Sequence, residues 1–415
     1  MERCDIVVVG AGAAGLMAAR SAAMRGARVR LLDSQTKIGA KILVAGGGRC
    51  NVTNDQVDAG RFHGGSRTFI ARVLRAFNQA ETLRFFAETG VPLKLEETGK
   101  YFPVSDSART VLNALLGAVT AAGAELITEQ PVREITRREQ GWRIRTPQLD
   151  LECAAVIVCT GGLALPKSGS DGAGYRFAGQ FGHTLVPTTP ALSPLLANPA
   201  AHAGLSGITL PVRLALRHGK APLAAYRGSF LFTHHGYSGP VALNLSRHVA
   251  RDRWTQPEAT VYLRLLPDVS EGAEGVFWQG FVHRNARKSM ANALGELLPQ
   301  RVAAMVLQEA GVPPALAAGR LSPRQQQSVR EALLDQALPV QQVAGYTKAE
   351  ATAGGIDLEE IDPATMMSRL APGLFFAGEV MDVDGWLGGY NFQWAWSSGT
   401  VAGRAAARYA LRLEK

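Results

Sequence analysis

The sequence predicts an α/β fold in which both ends of the chain build one parallel, doubly wound sheet. The middle of the chain adds an antiparallel β segment and a helical segment. Near the N-terminus, an apolar strand-like run passes directly into a glycine-rich turn and a helical pattern. Near the C-terminus a second apolar run ends in glycine and an acid, while proline-rich turns separate short strand-like runs between the two. With 415 residues, the chain is long enough for two or three domains.

The composition excludes several classes of protein. Hydrophobic residues make up 47% and charged residues 19%, which is typical of a globular chain and not of a disordered one. The four cysteines (Cys4, Cys50, Cys153 and Cys159) lack the spacing of a zinc site, so no metal is predicted. The N-terminal residues do not have the pattern of a signal peptide. A membrane helix is not indicated either, because the long uncharged stretches contain prolines or polar residues. We therefore expect a reduced cytoplasmic protein that does not contact a membrane.

The first elements follow the pattern of a dinucleotide-binding unit. A buried parallel strand is predicted over residues 5–9, followed by the turn Gly10-Ala-Gly-Ala-Ala-Gly15 and a helix over residues 16–25. The next strand, over residues 28–33, ends in an acid. The whole β-turn-α-β pattern in register makes this a strong motif, but it does not separate NAD from FAD.

Each residue of this motif has a chemical reason to be there. Gly10 allows the tight turn, Gly12 lets the backbone approach a pyrophosphate, and Gly15 lets helix and strand pack closely. The helix N-terminus supplies N–H groups and a positive dipole end. Asp33 accepts hydrogen bonds from an adenosine ribose. The cofactor-binding residues predicted in this region are Gly10, Gly12, Ala13, Ala14, Gly15 and Asp33.

A glycine-rich loop over residues 38–54 favours FAD. In flavin folds of the glutathione-reductase type, the chain at this point runs along the FAD towards the isoalloxazine ring. Lys41 and Arg49 would neutralise phosphate, and the neighbouring glycines would pass close to the cofactor. The cofactor-binding residues predicted here are Lys41, Gly47, Gly48, Arg49 and Asn51.

Three residues are candidates for catalysis. Cys50 lies beside Arg49, which is expected to lower the thiol pKa and to let Cys50 donate a proton; the alternative is a small packing residue. Arg49 would bind a substrate carbonyl or a phosphate, and its alternative is a surface ion pair. His234 lies in Phe232-Thr-His-His-Gly-Tyr-Ser-Gly-Pro240 and is a second candidate proton donor, or else a structural histidine.

The C-terminal segment is predicted to close the cofactor site. A strand over residues 373–379 is followed by Asp382, a candidate for the ribityl hydroxyls, and by a glycine-rich turn that opens the last helix. N–H groups at the start of that helix would stabilise negative charge near flavin N1–C2=O. A strand over residues 154–162 returns the chain to the same place. The remaining predicted cofactor-binding residues are Val132, Thr160, Gly161, Gly378, Glu379, Asp382, Gly388, Gly389, Tyr390 and Asn391.

The predicted domains are a discontinuous FAD-binding domain (1–187 and 343–415), an inserted β-barrel-like domain (188–270) and a helical domain (271–342). Residues 188–342 hold 15 Lys and Arg against 9 Asp and Glu, within a chain of net charge +9. Charge alone favours a solvated basic surface over contact with a polyanion such as RNA. No second Gly-X-Gly-X-X-Gly follows a strand, so NAD(P)H is expected as a transient electron donor at the open flavin face.

The chain resembles the bacterial FAD flavoprotein family typified by YhiN and BaiN. The resemblance rests on the first glycine turn, on Gly47-Gly-Arg-Cys-Asn-Val-Thr-Asn54, on the motif around His234, on Thr365-Met366 and on Gly378-Glu-Val-Met-Asp-Val-Asp-Gly-Trp-Leu-Gly-Gly-Tyr-Asn391.

The resemblance implies bound FAD in a Rossmann-type, glutathione-reductase-like domain with an inserted antiparallel β domain and a small helical domain. It also implies an FAD-dependent oxidoreductase that reduces an activated C=C bond. YhiN-type members are associated with dihydrouridine in large-subunit ribosomal RNA, and BaiN-type members with reduction of steroid-like molecules. The alternatives are an NAD(P)H-linked reductase of a small hydrophobic molecule and a non-catalytic flavoprotein that binds RNA.

Overall fold

The computed structural model describes residues 2–197 and 199–412. The α-helices in chain order are α1 (Ala13–Ala23), α2 (Ala40–Gly48), α3 (Arg67–Ala76), α4 (Gln79–Glu88), α5 (Ala108–Ala121), α6 (Ala173–Gln180), α7 (Pro199–His202), α8 (Pro240–Thr255), α9 (Glu274–Arg284), α10 (Met290–Gly295), α11 (Gln300–Glu309), α12 (Pro323–Leu334) and α13 (Tyr390–Ala410). Short 3-10 turns lie at Ala59–Arg61, Pro166–Ser168, Ala203–Leu205, Ala318–Arg320 and Leu358–Glu360.

The β-strands in chain order are β1 (Glu2–Arg3), β2 (Ile6–Val9), β3 (Val29–Leu32), β4 (Thr53–Asn54), β5 (Phe62–Gly64), β6 (Leu93–Leu95), β7 (Lys100–Pro103), β8 (Glu125–Ile127), β9 (Glu134–Arg138), β10 (Gly141–Arg145), β11 (Asp150–Cys153), β12 (Ala155–Val158), β13 (Leu185–Ala191), β14 (Leu195–Ala197), β15 (Thr209–His218), β16 (Ala221–Thr233), β17 (Gly236–Ser238), β18 (Thr260–Arg264), β19 (Gln336–Leu338), β20 (Val340–Val343), β21 (Ala351–Ile356), β22 (Leu374–Phe376) and β23 (Val383–Gly385).

The centre of the first compact unit is a five-stranded parallel sheet in the order β22-β12-β2-β3-β8. β2 and β12 are runs of small and β-branched residues and are buried along their whole length, as strands covered on both faces require. Strands from both ends of the chain lie side by side in this sheet. The predicted doubly wound α/β core is confirmed.

Helix α13 packs directly against α1 on this sheet. A Cβ at Gly399 would lie 2.4 Å from the carbonyl oxygen of Ala14, and a Cβ at Gly403 would lie 2.2 Å from that of Ala18. The two glycines therefore let the backbones of the helices touch, which fixes the N-terminus of α1 against the C-terminal part of the chain.

Smaller sheets complete this unit. One has the order β1-β11-β10-β9, another the order β4-β7-β6, and two ribbons pair β13 with β21 and β23 with β5. The segment predicted as a glycine-rich loop contains α2, in which Ala45, Gly46 and Gly47 leave the helical conformation. Among the helices that the structure describes, none is long and apolar enough to cross a membrane.

The chain divides into two compact units. The first comprises the residues up to Ala191 and those from Tyr346 onward, and the second runs from Leu192 to Gly345. The second unit contains an antiparallel sheet in the order β19-β18-β15-β16-β17-β14-β20, which confirms the predicted antiparallel segment. The helices α9–α12 belong to the same unit. The predicted division of this region into residues 188–270 and 271–342 stays a prediction.

One helix of the second unit ends earlier than its pattern indicates. The sequence predicts a helix over residues 323–337, whereas α12 ends at Leu334. The next residues form β19, in which Gln336 pairs with Leu263 of β18. Tertiary pairing with the free edge of β18 decides the conformation of this segment against its helical pattern.

Candidate functional site

The predicted cofactor residues collect at one edge of the parallel sheet. β2 leads into Gly10, β3 into Asp33, β12 into Thr160, and β22 into Gly378. Because these strands are parallel, their carboxyl ends meet at the same edge, where ligands bind in open α/β sheets.

The three glycines of the first turn have different surroundings. A Cβ at Gly10 would lie 2.6 Å from the Cys159 carbonyl oxygen, and a Cβ at Gly15 would lie 1.8 Å from that of Gly10. A Cβ at Gly12, in contrast, would have no atom within 4 Å. Gly10 and Gly15 therefore serve close packing, and the surface at Gly12 is open to a ligand.

The N-terminus of α1 has the features of an anion-binding site. Its N-cap is Gly12, no side chain caps it, and its first turn has no acidic residue. The N–H groups of a first helical turn have no partner within the helix and carry the positive end of the dipole. Beside the open surface at Gly12, they can receive a pyrophosphate.

The Asp33 carboxylate is held by the backbone at the end of β3. Its Oδ2 accepts a hydrogen bond from the Ala11 N–H at 2.7 Å, and its Oδ1 accepts one from the Gln35 N–H at 2.8 Å. Burial of the carboxyl group raises the Asp33 pKa, and the two hydrogen bonds oppose this. Each oxygen retains a further lone pair, which can accept from a ribose hydroxyl.

Two charged candidates, Lys41 and Glu379, pair with each other. The Lys41 Nζ lies 2.6 Å from Glu379 Oε2, and Glu379 Oε1 accepts a hydrogen bond from the Thr352 N–H at 2.7 Å. The charge of Lys41 is therefore matched by a carboxylate of the same site. Its contact with a cofactor phosphate stays a prediction.

Helix α13 fixes the end of β22. The N–H of Gly378 donates to Ser398 Oγ at 3.0 Å, and its carbonyl oxygen accepts from Trp394 Nε1 at 3.1 Å. A Cβ at Gly378 would lie 2.8 Å from the Cβ of Ala14, so this turn contacts the start of α1. The tryptophan therefore has a structural role, as its burial indicates.

The N-terminus of α13 also lacks a capping side chain. Gly389 is the N-cap, with a φ of 92°, and no acid follows in the first turn. The side chain of Asn391 is used to hold β23: Oδ1 accepts from the Gly385 N–H at 2.8 Å, and Nδ2 donates to the Gly385 carbonyl at 3.0 Å. The backbone N–H groups of this turn, rather than the Asn391 side chain, are therefore the groups available to a ligand.

Two predicted cofactor residues have buried polar atoms that lack a partner in the described part of the chain, namely Asn51 Oδ1 and Thr160 Oγ1. Buried polar atoms are normally hydrogen-bonded, so an atom of this kind indicates a missing ligand or water. The surface at Gly47 is also open, since a Cβ there would have no atom within 4 Å. These observations fit a bound dinucleotide.

Tyr175 is a residue of this region that the sequence analysis did not select. It lies in the first turn of α6, and its hydroxyl is buried with no partner among the described residues. A Cβ at Gly162 would lie 3.0 Å from this hydroxyl and 2.5 Å from Thr352 Oγ1. In the sequence, Tyr175 ends a polar, glycine-rich segment that follows β12, and this position was the signal that could have identified it.

The expectation that Arg49 lowers the Cys50 pKa is wrong. Cys50 is fully buried, and desolvation raises its pKa to about 12. The Arg49 guanidinium points to other partners: it lies 2.6 Å from Glu96 Oε1 and 3.9 Å from the centre of the Phe102 ring. The thiol therefore keeps its proton at neutral pH.

Arg49 makes a surface ion pair. Besides Glu96, it lies 3.5 Å from Asp106, and Lys94 contacts the same Asp106 carboxylate at 2.5 Å. Hydrogen bonding to Glu96 raises the pKa of Arg49 further. The expected contact of Arg49 with a phosphate or a substrate carbonyl stays a prediction.

His234 lies in the second unit, on the exposed turn between β16 and β17. Tyr237 of the same motif is buried, and its hydroxyl lies 2.6 Å from His202 Nδ1. His202 Nε2 in turn lies 2.9 Å from Glu309 Oε1. The buried part of the motif therefore anchors the turn and leaves the ring of His234 accessible.

The remaining candidates lie in the first unit. Asp382 is buried, and its N–H donates to the Ile356 carbonyl at 3.0 Å. The Gly388 carbonyl accepts from Asn54 Nδ2 at 2.9 Å, and the buried Tyr390 ring meets Phe62 edge-on at 5.8 Å. Val132 is half-buried between β8 and β9, and Gly161 has a φ of 71°. No cluster of potential metal ligands occurs within residues 2–197 and 199–412.

The parallel sheet, the open turn at Gly12 and the uncapped start of α1 define the class of Rossmann-type dinucleotide-binding proteins. A family model described as HI0933-like protein Rossmann domain matches residues 4–405. The chain belongs to this family, and it is an FAD-dependent oxidoreductase.

Similar proteins include two characterised relatives. The chain is 36% identical to "Ribosomal RNA dihydrouridine synthase" of Escherichia coli (strain K12), over 96% of each chain. It is 33% identical to "3-dehydro-bile acid delta(4,6)-reductase" of Clostridium scindens, over 97% of this chain and 98% of the relative. Among solved structures, E. coli quinol fumarate reductase FrdA is 18% identical with a TM-score of 0.53, over 100% of this chain and 72% of that one, which shows a shared fold.

Proposed function

We propose that the protein reduces the C=C bond of uridine in large-subunit ribosomal RNA to give dihydrouridine. The observation that carries this proposal is the 36% identity, over nearly the whole chain, to an E. coli protein named for that reaction. The fold and the cofactor site support the redox part. The proposal of an RNA substrate depends on the similarity to this E. coli relative.

The reaction adds one hydride and one proton across C5=C6. FAD, when bound and reduced, supplies the hydride for C6, the β carbon of the conjugated carbonyl. A side-chain acid delivers the proton to C5. NAD(P)H is the proposed source of the two electrons. It would bind only transiently, because the sequence has no second dinucleotide motif for a resident donor.

The chain's own residues hold and polarise the reactants. The start of α1 would bind the pyrophosphate, and Asp33 would accept from the adenosine ribose. The N–H groups at the start of α13 would stabilise negative charge on the ring. A uracil in folded RNA has to leave its stack before it can enter such a site.

Cys50 and His234 are the candidate proton donors. The raised pKa of Cys50, about 12, keeps the thiol protonated at neutral pH, and its burial keeps it from bulk water. His234 is exposed on its turn and can meet a large substrate. Loss of the residue that donates the proton should lower turnover without loss of bound flavin. Proton donation can therefore be measured separately from flavin binding.

The experiment is to delete the gene and measure dihydrouridine in ribosomal RNA by nucleoside mass spectrometry. Wild type, C50A, H234A and the neighbouring control H235A are then supplied on a plasmid. We expect dihydrouridine to disappear on deletion and to stay low with one of C50A and H234A, while H235A restores it. An unchanged dihydrouridine level in the deletion strain rules the proposal out.

A second candidate function is reduction of a small hydrophobic enone, because the chain is 33% identical to a bile acid reductase. It predicts that the purified protein oxidises NAD(P)H when a steroid enone is added and that deletion leaves ribosomal RNA unchanged. If a flavin-free variant such as Gly12→Glu still restores the cellular role, neither reaction is the function, and a non-catalytic RNA-binding protein remains.

A further inference from the structure

The positive charge of the chain is concentrated in one helical segment of the second unit. Residues 275–330 contain seven Lys and Arg but only two acids, in a chain of net charge +9. Both acids have partners: Glu296 contacts Lys288, and Glu309 contacts His202. The segment therefore carries more than half of the net charge of the protein.

The arginines of the neighbouring sheet are neutralised, in contrast to those of the helical segment. On the sheet, Arg213, Arg217, Arg227 and Arg264 each contact a carboxylate. In the helical segment, four exposed arginines form no ion pair with any residue that the structure describes. These four are Arg284, Arg287, Arg320 and Arg324.

Two loops bring these arginines together. The Ala318 N–H donates to the Lys288 carbonyl at 3.0 Å, and the Gly319 N–H donates to the Ala286 carbonyl at 3.0 Å. Ser289 and Ala317 form a β-bridge between the same loops. The segment that follows α9 and the segment that leads into α12 therefore lie side by side, on a backbone fixed by hydrogen bonds.

From this arrangement we infer that Arg284, Arg287, Arg320 and Arg324, here called the basic surface, bind the phosphate backbone of single-stranded RNA. The cations of this surface are arginines, whose planar guanidinium pairs with phosphate through two hydrogen bonds and stacks on bases. Unpaired cations can release the counterions of a polyanion without first breaking an internal ion pair. The inference rests on the proposed function, since RNA is the substrate named there.

The test is binding of a short fluorescein-labelled single-stranded RNA to the purified, flavin-loaded protein at several salt concentrations. The variant R284Q/R287Q/R320Q/R324Q removes four charges from the basic surface. The control R72Q/R75Q/R137Q/R138Q removes four exposed charges from the first unit, so both have the same net charge. Flavin absorbance and melting temperature show that each variant is folded.

For the basic-surface variant, we expect RNA affinity to fall by at least about tenfold, and the plot of log affinity against log salt to become less steep by about 3 units. The control should bind as wild type does. Equal binding by both variants overturns the inference, and so does stronger binding of anionic lipid vesicles than of RNA. Anionic vesicles would identify a membrane surface as the partner instead.

The two proposals fail in different ways. If the basic surface binds RNA but deletion of the gene leaves dihydrouridine unchanged, the proposed reaction is wrong and the binding surface stands. If dihydrouridine depends on the gene and the basic-surface variant restores it fully and binds RNA normally, the reaction stands and the binding surface is wrong.

Discussion

Gly12 and Gly15 show how one motif uses the same residue for different reasons. At Gly12 the structure leaves room for a side chain, whereas at Gly15 the carbonyl of Gly10 occupies that room. The reason for glycine at Gly12 must therefore lie in something outside the chain. A cofactor phosphate that approaches the backbone supplies that reason.

Substitution separates these two reasons. Gly12→Glu should yield a folded but colourless protein, because a Cβ there meets no atom within 4 Å and the added carboxylate would repel a pyrophosphate. Gly15→Ala should lower the free energy of unfolding by about 1–3 kcal/mol or more, the range typical of overpacking in a core. The measurements are the ratio of flavin to protein absorbance and the melting temperature. A yellow Gly12→Glu protein would contradict the pyrophosphate assignment.

His183, Glu360 and Ser368 form a buried chain of hydrogen bonds. His183 Nε2 lies 2.7 Å from Ser368 Oγ, and Nδ1 lies 3.0 Å from Glu360 Oε2. The order is that of a hydrolase triad, but Ser368 is buried and its Oγ accepts two backbone N–H groups, from Leu370 and Ala371. The group therefore fixes a loop and does not act as a nucleophile.

This buried histidine predicts a pH dependence of stability. Desolvation lowers the pKa of His183 in the folded protein, although the facing carboxylate of Glu360 opposes the shift; its other neighbours are Ser368 and the Phe376 ring. Between the lowered pKa and the unfolded value of about 6.5, the unfolded chain binds more protons, so stability falls as pH drops below about 6.5.

The measurement is the melting temperature between about pH 5 and 8, above the range in which Glu360 titrates. His183→Gln should flatten this profile. Identical slopes for wild type and His183→Gln would show that another group controls the acid side.

Among the elements, α1 and α13 depend most on small residues. Their backbones touch at Gly399 and Gly403, so an added methyl group has no free space there. This contact also places the start of α1 beside the turn at Gly378, where predicted cofactor residues from the two chain ends meet.

Gly403→Ala should push the helices apart, lower the melting temperature and weaken flavin retention. The control is Gly117→Ala in the exposed face of α5, where a Cβ meets no atom within 4 Å. Alanine there should stabilise the helix by about 0.5–1 kcal/mol. Thermal unfolding with flavin fluorescence measures both effects. A Gly403→Ala protein that melts at the same temperature as wild type would show that the helices adjust without loss of stability.

In the molecule as a whole, the first unit contains every residue that is predicted to bind the cofactor. β13 leaves this unit and β21 returns beside it, with Ala191 paired to Ala351. The second unit can therefore be replaced by a short glycine-serine linker between Ala191 and Tyr346 without breaking the parallel sheet.

We expect this shortened protein to fold and to bind FAD but to have no activity on RNA. Absorbance near the flavin maximum and far-UV circular dichroism check the expectation, and the shortened chain with Gly12→Glu is the colourless control. A shortened chain that folds but never binds flavin would show that cofactor contacts lie between Leu192 and Gly345.

Local sequence patterns were enough to predict the core of the fold and the first glycine turn. These depend on local patterns: a run of β-branched residues for β2, the spacing of Gly10, Gly12 and Gly15, and the acid that ends the next strand. The glycines near Gly389 also predicted that a glycine-rich turn opens the last helix, which begins at Tyr390.

Features that depend on residues distant in the chain became visible only in the folded protein. The pKa of Cys50 rises because the folded protein buries its thiol, while Arg49 pairs with Glu96. β19 forms because β18 offers a free edge. Burial and strand pairing of this kind depend on many residues that are remote in sequence, so a local sequence pattern cannot predict them.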